Sequence, residues 1–272
     1  CILNVLILIL VYSLTPPPRF LYYRFGHGPK YYIEMKLEFD PQSNVYDDTE
    51  DGDTIILETA SLEYMPHSVY LFLEQVAHGL YDGTSFHRNA AHIVQAGPHF
   101  NMQHHTDPHS KFRHAPSLNS VIFQEYAPEM AHKQYTVGYP GRPGGPDFYI
   151  NMRDNSALHG PGGQGGNALR GLHRKSGNAK ADHADDADPC FAKIVSGINA
   201  IERVHRSDVQ LSGFRDAISH PVTISHMKVL PADYVVPNSS RDGAARQLEV
   251  VEEEEVGFHA HSDSDSEDEE CC

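Results

Sequence analysis

The chain has 272 residues, of which 40% are hydrophobic, so it is long enough for one large domain or two small ones with a buried core. Its net charge is -16, but eleven acidic side chains lie after Leu248, where Lys and Arg are absent. The preceding part carries only -5, which excludes a nucleic-acid binder held by general attraction to phosphate. The four Cys are too few and too irregularly spaced for a disulfide framework or a structural zinc site, which needs paired ligands at short separations.

The N-terminal segment is strongly apolar. Residues 1–14 contain almost no polar side chain, and three prolines at 16–18 end any helix soon after them. A spanning helix needs about 20 residues and a signal-peptide core about 7 to 15. We expect residues 1–28 to belong to a single-pass membrane anchor with a Pro-rich linker; a cleaved secretory signal and a buried segment are the alternatives. An endomembrane location, such as the Golgi or endoplasmic reticulum lumen, is compatible, and its sidedness stays open.

Residues 29–230 have the pattern of a mixed, strand-rich domain. Apolar and polar side chains alternate at 31–38, and residues 53–60 follow an acidic turn, which predicts a hairpin. Apolar residues then recur at helical spacing between Pro66 and Gly79, which predicts an amphipathic helix. Further strands are predicted at 84–96, 120–124, 134–138, 147–151, 190–196 and 222–230, with a second helix at 197–206. Many short strands with few helices favour an antiparallel barrel capped by helices.

Two segments lack hydrophobic periodicity. Residues 159–188 are rich in Gly and are predicted to form a surface loop inserted in the domain. Residues 231–272 are polar and then acidic, which predicts a disordered tail. Its serines followed by acidic residues suit an acidophilic kinase, and a solvating tail without a specific role is the alternative.

Histidine is abundant, and five side chains crowd one stretch: His99, His104, His105, His109 and His114. Imidazoles bind Zn or Cu, but prolines at 108 and 116 argue against a helix that presents them at fixed spacing. We interpret this stretch as an exposed loop and predict no metal site.

Several motifs share one order and spacing. Tyr81–Arg88 reads YDGTSFHR, and Gln95-Ala96-Gly97 follows closely. Residues 144–150 read GGPDFYI, and residues 188–197 read DPCFAKIVSG. Together they resemble the cyclophilin family of peptidyl-prolyl isomerases over roughly residues 31 to 230. The resemblance implies a mainly β fold: an eight-stranded antiparallel barrel capped by two helices.

The same resemblance implies a chemistry without cofactors. In such a site Arg88 would donate to the prolyl nitrogen, and Gln95 would hold Arg88 or the substrate backbone. The partners would be proline-containing peptides or protein clients. The resemblance implies these substrate-binding residues: Phe86, His87, Ile93, Phe148, Tyr149 and Leu158.

Departures from the family pattern leave three hypotheses open. The interval from Phe86 to Gln95 is one residue short, Asp147 replaces a glutamine, Tyr149 replaces a phenylalanine and Asp188 replaces a histidine. The first hypothesis is an isomerase that acts on X-Pro bonds of protein clients. The second is a module that binds Pro-containing peptides with little or no turnover. The third is an interaction scaffold without a proline pocket.

Overall fold

The computed structural model describes residues 24–25, 28–47, 53–98, 111–121, 125–141, 144–161, 187–210 and 216–237. Four predictions fall wholly or largely outside these ranges: the apolar segment 1–14, the histidines from 99 to 109, the middle of the Gly-rich loop and the acidic tail. Among the described residues, no helix combines the length and apolarity needed to cross a bilayer.

Eight strands form one closed antiparallel barrel in the described part of the chain. The strands are β1 Tyr32–Glu38, β2 Thr54–Thr59, β3 Ser85–Asn89, β4 Ile93–Gly97, β5 Thr136–Gly138, β6 Phe148–Asn151, β7 Cys190–Ser196 and β8 Ala217–Val229. Their order around the barrel is β1-β2-β7-β5-β6-β4-β3-β8, and β8 closes the ring on β1. The predicted eight-stranded antiparallel barrel is confirmed.

The β1–β2 hairpin follows from side-chain alternation. Ile33, Met35 and Leu37 are buried in the core, whereas Lys36 and Glu38 between and after them are exposed. Successive strand residues point to opposite faces, so this pattern presents one apolar face to the barrel interior. The two strands pair antiparallel, as predicted.

Helix α1, Pro66–Ala77, covers the barrel interior with its apolar face. The Phe72 ring lies 4.8 Å from the Phe191 ring and 5.8 Å from the Phe148 ring, measured between centroids. Proline at the first position suits a helix start, and the Glu125 carboxylate accepts the backbone N–H groups of residues 67 and 68 at 2.8 and 2.7 Å. This long-range cap fixes the start of the helix.

Apart from residues 24–25, which are also helical, the described residues hold three α-helices, and two of these are the predicted ones. Helix α2, Ser156–His159, has only four residues, too few for a helical period to be visible in the sequence. Helix α3, Ile198–His205, matches the predicted second helix. It starts after Gly197, whose φ is +82° and where a Cβ atom would lie 2.2 Å from the Thr54 carbonyl oxygen. Only glycine fits this turn from β7 into α3.

Two strand predictions need correction. The run predicted at 84–96 is a hairpin, β3 and β4, whose turn contains Ala91 with a φ of +62°. The last strand begins at Ala217, before the exposed Pro221, and not at 222. Its pairing with β3 shifts between Phe86 and Arg88, so Pro221 lies where the ladder is irregular and a proline is tolerated. Of the strand predicted at 120–124, the described residues Ser120 and Val121 are not in a strand.

Candidate active site

A β-bulge in β3 determines where Arg88 lies. Phe86 pairs with Ala96 of β4, and Arg88 pairs with Gln95, so two residues of β3 advance the register by only one residue of β4. The extra residue is His87. A bulge of this kind changes the face to which the following side chain points. Phe86 therefore packs in the core, whereas the Arg88 side chain lies on the outer wall and is 30% exposed.

Arg88 contacts two acceptors on the outer wall. Its Nη1 atom donates a hydrogen bond of 3.3 Å to Oε1 of Gln95. Its Nη2 atom lies 3.6 Å from a carboxylate oxygen of Asp216, the residue that precedes β8. These contacts hold a permanently charged fork of donors at the surface of the barrel.

A buried carboxylate lies behind Gln95. Asp147 is 3% exposed and immediately precedes β6, and its Oδ2 atom accepts a 2.9 Å hydrogen bond from Nε2 of Gln95. Nε2 of His87 lies 3.6 Å from the same oxygen. The Gln95 amide therefore joins Asp147 on one side to Arg88 on the other.

Tyr149 continues this outer face on the next strand. It pairs with Gln95 across β4 and β6 and with Gly138 across β6 and β5. A Cβ atom at Gly138 would lie 2.9 Å from the Tyr149 hydroxyl, so glycine leaves the room that this hydroxyl occupies. Ile93, two residues before Gln95, is also almost fully buried, while Leu158 of α2 is half-buried.

Polar side chains lie against Tyr149. The His159 ring lies 4.8 Å from the Tyr149 ring, between centroids, and stacks on the His92 ring at 5.7 Å. The Tyr149 hydroxyl lies 3.3 Å from both Oδ2 of Asp188 and Nδ1 of His132. The tyrosine is 0% exposed.

The histidines in this cluster have assignable tautomers. Nδ1 of His159 lies 2.9 Å from Oδ2 of Asp188, and Nε2 of His132 lies 3.0 Å from the Asp188 carbonyl oxygen. Carboxylate and carbonyl oxygens accept, so these nitrogens donate. Nε2 of His159 is buried without a hydrogen-bond partner among the described residues.

Burial also changes the acidity of His92. The pKa of this imidazole is lowered, mainly because partial burial disfavours its charged form. The positive charges of Arg153 and Arg88 and the neighbouring His159 act in the same direction. His92 is thus biased toward its neutral form in the folded protein.

Two of the predicted substrate-binding residues lie in the barrel core and not on its outer wall. Phe86 and Phe148 are both 0% exposed, and their rings lie 6.0 Å apart inside the barrel. Strand alternation explains this for Phe148, since its neighbour Tyr149 takes the outer face. The predicted residue His87 is buried beside Asp147. Arg88, Gln95, Ile93, Tyr149 and Leu158 are on or beside the outer wall.

Sequence reasoning missed several residues around the site. His132 and His159 are buried against Tyr149. They were missed because neither belongs to a periodic segment or to one of the motifs described above. Asp216 was missed because the sequence before it has no hydrophobic periodicity and no motif. The ends of the predicted surface loop are also buried: the Asp188 N–H donates to the His159 carbonyl at 2.9 Å and closes its base. Of the predicted His-rich loop, His114 is described and is exposed, and no group of three potential metal ligands lies together among the described residues.

The part of the chain that forms the barrel is similar to known proteins. A family model described as cyclophilin type peptidyl-prolyl cis-trans isomerase/CLD matches residues 49–229. A crystal structure of a cyclophilin type peptidyl-prolyl cis-trans isomerase from Cryptosporidium parvum is 13% identical, with a TM-score of 0.46, and the alignment covers 76% of this chain and 99% of that one. A structure of the same protein in the presence of the dipeptide Ala-Pro gives 13% identity and a TM-score of 0.46, over 73% and 98%. No curated protein matches this chain.

Proposed function

The chain belongs to the cyclophilin-type peptidyl-prolyl cis-trans isomerase family, and on that premise we propose that it catalyses the cis-trans isomerisation of X-Pro bonds in protein clients. One observation carries the proposal: the bulge at His87 turns the Arg88 guanidinium out of the barrel and sets it against the Gln95 amide. Arg88 remains 30% exposed, so a peptide on the outer wall could reach its donors.

The reaction requires no bond to be made or broken. An X-Pro amide interconverts over a barrier of about 18 to 20 kcal/mol because the C–N bond must lose its partial double-bond character. In the twisted state the prolyl nitrogen regains a lone pair that can accept a hydrogen bond. A donor that finds its acceptor only in the transition state lowers the barrier without tightening ground-state binding.

Arg88 would be that donor, and Gln95 would hold it. The Oε1 atom of Gln95 accepts from Nη1 of Arg88, and because a guanidinium carries five N–H donors it can serve more than one acceptor at a time, a prolyl nitrogen among them. The proline ring would rest against the half-buried Leu158, and against Ile93 and the Tyr149 ring once the side chains that cover them move. No cofactor or metal takes part in the proposal.

A specific feature also favours the second candidate, a proline-peptide binder with little turnover. The Tyr149 ring is 0% exposed and lies under His159. Because the ring has no exposed surface, a proline can reach it only after covering side chains such as His159 move. If that movement is rare, peptides would bind at the rim near Arg88 without entering a position where the amide is twisted.

Two-dimensional NMR exchange spectroscopy on an X-Pro tetrapeptide separates the two candidates. The full chain should accelerate exchange between the cis and trans peptide signals, and Arg88→Ala should lower that rate by about 10²- to 10³-fold. Arg153→Ala is the matched control because Arg153 is an exposed arginine after β6, and it should leave the rate unchanged. Shifts of the peptide signals without accelerated exchange would support the peptide binder. If the chain causes neither shifts nor accelerated exchange, both candidates are contradicted.

Membrane anchoring through residues 1–14 stays part of the proposal. Its support is the apolar composition of that segment. The test is carbonate extraction of membranes from cells that express the full-length protein, with a variant lacking residues 1–14 as control. Full-length protein should resist extraction, and its recovery in the soluble fraction would contradict anchoring.

A further inference from the structure

Asp147 is a buried carboxylate next to the proposed catalytic pair. It is 3% exposed, and its Oδ2 atom accepts a 2.9 Å hydrogen bond from Nε2 of Gln95. An ionised carboxylate can accept hydrogen bonds but cannot donate them. The group that Gln95 turns toward Asp147 must therefore be its NH2 group.

This requirement fixes the other end of the Gln95 amide. With Nε2 directed at Asp147, Oε1 is directed at Arg88, where it accepts from Nη1 at 3.3 Å. In the reversed amide, an oxygen would face the carboxylate and an NH2 group would face the guanidinium. One contact would then bring two acceptors together and the other would bring two donors together. Asp147 and Arg88 therefore select the same orientation of Gln95.

We propose that Asp147 is a positioning residue that acts through Gln95 to hold the Arg88 guanidinium in place. This inference rests on the proposed isomerase function for its consequence in catalysis, but the chain of hydrogen bonds exists in the free protein. Asp147 stands where the family pattern has a glutamine. A glutamine side chain presents both a donor and an acceptor and would not impose one orientation on Gln95.

The backbone is built to bring Asp147 this close. Gly97 has a φ of +132°, and a Cβ atom there would lie 2.7 Å from Oδ1 and 2.8 Å from Cα of Asp147. Real Cβ atoms do not approach a backbone atom so closely, so only glycine allows β4 to pass Asp147 at this distance. On another side, Nε2 of His87 lies 3.6 Å from Oδ2 of Asp147. The bulge that turns Arg88 outward thus also supplies a neighbour for the carboxylate.

A double-mutant cycle in the full chain tests the proposal. Gln95→Glu would place a second carboxylate against Asp147, and we expect exchange catalysis to fall at least tenfold because this repulsion displaces residue 95 from its position between Asp147 and Arg88. Asp147→Asn should lower catalysis by about threefold, because a neutral amide oxygen holds the Gln95 NH2 group more weakly than a carboxylate does, although Arg88 still favours the same orientation. The double variant Asp147→Asn/Gln95→Glu should recover to within about threefold of wild type, since the new amide donates to the new carboxylate, which in turn accepts from Arg88.

This rescue distinguishes positioning from packing. All the substitutions keep the size of the side chain, so a purely structural role predicts that the two losses add. The loss should appear in kcat and leave KM nearly unchanged. Asp154→Asn is the control, because Asp154 is an exposed aspartate that pairs with Lys133, and it should have no effect. A double variant no better than Gln95→Glu alone would overturn the proposal.

A second readout works without catalysis. The ¹⁵N NMR signals of the Gln95 side-chain amide and of the Arg88 guanidinium should shift in Asp147→Asn and stay in place in Asp154→Asn. If the wild-type chain shows no accelerated exchange, the proposed function fails, while these signals still test the hydrogen-bond chain. If the signals do not change in Asp147→Asn, the positioning role is wrong even in an active isomerase.

Discussion

Phe86 and Arg88 lie two residues apart in β3, yet Phe86 packs inside the barrel and Arg88 lies on its outer wall. In a regular strand, residues i and i+2 share a face. The register with β4 shows the cause, since Phe86 pairs with Ala96 and Arg88 with its neighbour Gln95. One extra residue, His87, is thus what converts a strand that would bury an arginine into one that presents it.

Deletion of His87 should therefore prevent folding of the barrel in its present form. Without the extra residue, either the arginine enters the core or Phe86 leaves it. Breaking up buried packing or burying an uncompensated charge costs several kcal/mol, and we expect the free energy of unfolding to fall by about 4 kcal/mol or more. Urea unfolding followed by circular dichroism measures this loss.

The matched control is His87→Ala, which keeps the residue count and hence the bulge. It should lose only about 1 to 2 kcal/mol from the buried imidazole. A deletion variant as stable as His87→Ala would contradict the role assigned to the bulge.

Phe148 and Tyr149 should respond differently to substitution because they point to opposite faces of β6. Phe148→Ala removes a ring that packs against Phe72, Tyr81 and Phe86, and should lower the free energy of unfolding by about 3 to 5 kcal/mol. Tyr149→Phe keeps the ring and removes one hydroxyl that contacts Asp188 and His132, and should cost about 1 kcal/mol. Denaturant unfolding of the two variants tests the assignment, and equal losses would argue against it.

The sequence predicted the barrel well because its strands alternate and its motifs keep the family order. It predicted Arg88 and Gln95 as neighbours through the same motifs. The faces of Phe86 and Phe148 could not be derived from motif membership, since a motif does not reveal where a bulge changes the alternation. Asp147 was visible only as a departure from a pattern. Its meaning depends on a 2.9 Å contact with Gln95 that no spacing in the sequence encodes.

The burial of His159 and Asp188 against Tyr149 could not be predicted from the sequence either. His159 and Asp188 lie at the two ends of a Gly-rich segment, which suggested a loop exposed throughout. The structure joins these ends through the Asp188 N–H and the His159 carbonyl and buries both side chains against Tyr149. Contacts between residues so far apart arise from barrel closure and leave no local periodic signal.

Cys190 should be unreactive in the folded protein. It is a buried, free thiol of β7, and burial raises its pKa to about 12, so the thiolate that attacks alkylating reagents is scarce at neutral pH. Iodoacetamide labelling followed by peptide mass spectrometry should leave Cys190 unmodified in native protein and label it fully in urea. Rapid native labelling would contradict the burial of this strand face.

His92 should make the protein less stable in mild acid. Its folded-state pKa is lowered by burial and by the nearby groups His159, Arg153 and Arg88. As the pH falls below the ordinary histidine value of about 6.5, the unfolded chain therefore takes up a proton that the folded chain resists. The stability from the neutral imidazole is present above that pH and is lost as the pH falls toward the folded-state pKa.

Replacing His92 with glutamine should consequently flatten the decline of unfolding free energy between about pH 7 and pH 5. The control is His114→Gln, the same substitution at an exposed histidine. Titration of the His92 Cε1 proton by NMR gives an independent check, with a midpoint below the ordinary histidine value of about 6.5. A midpoint at or above that value, together with an unchanged stability profile for His92→Gln, would show that burial does not resist protonation of His92.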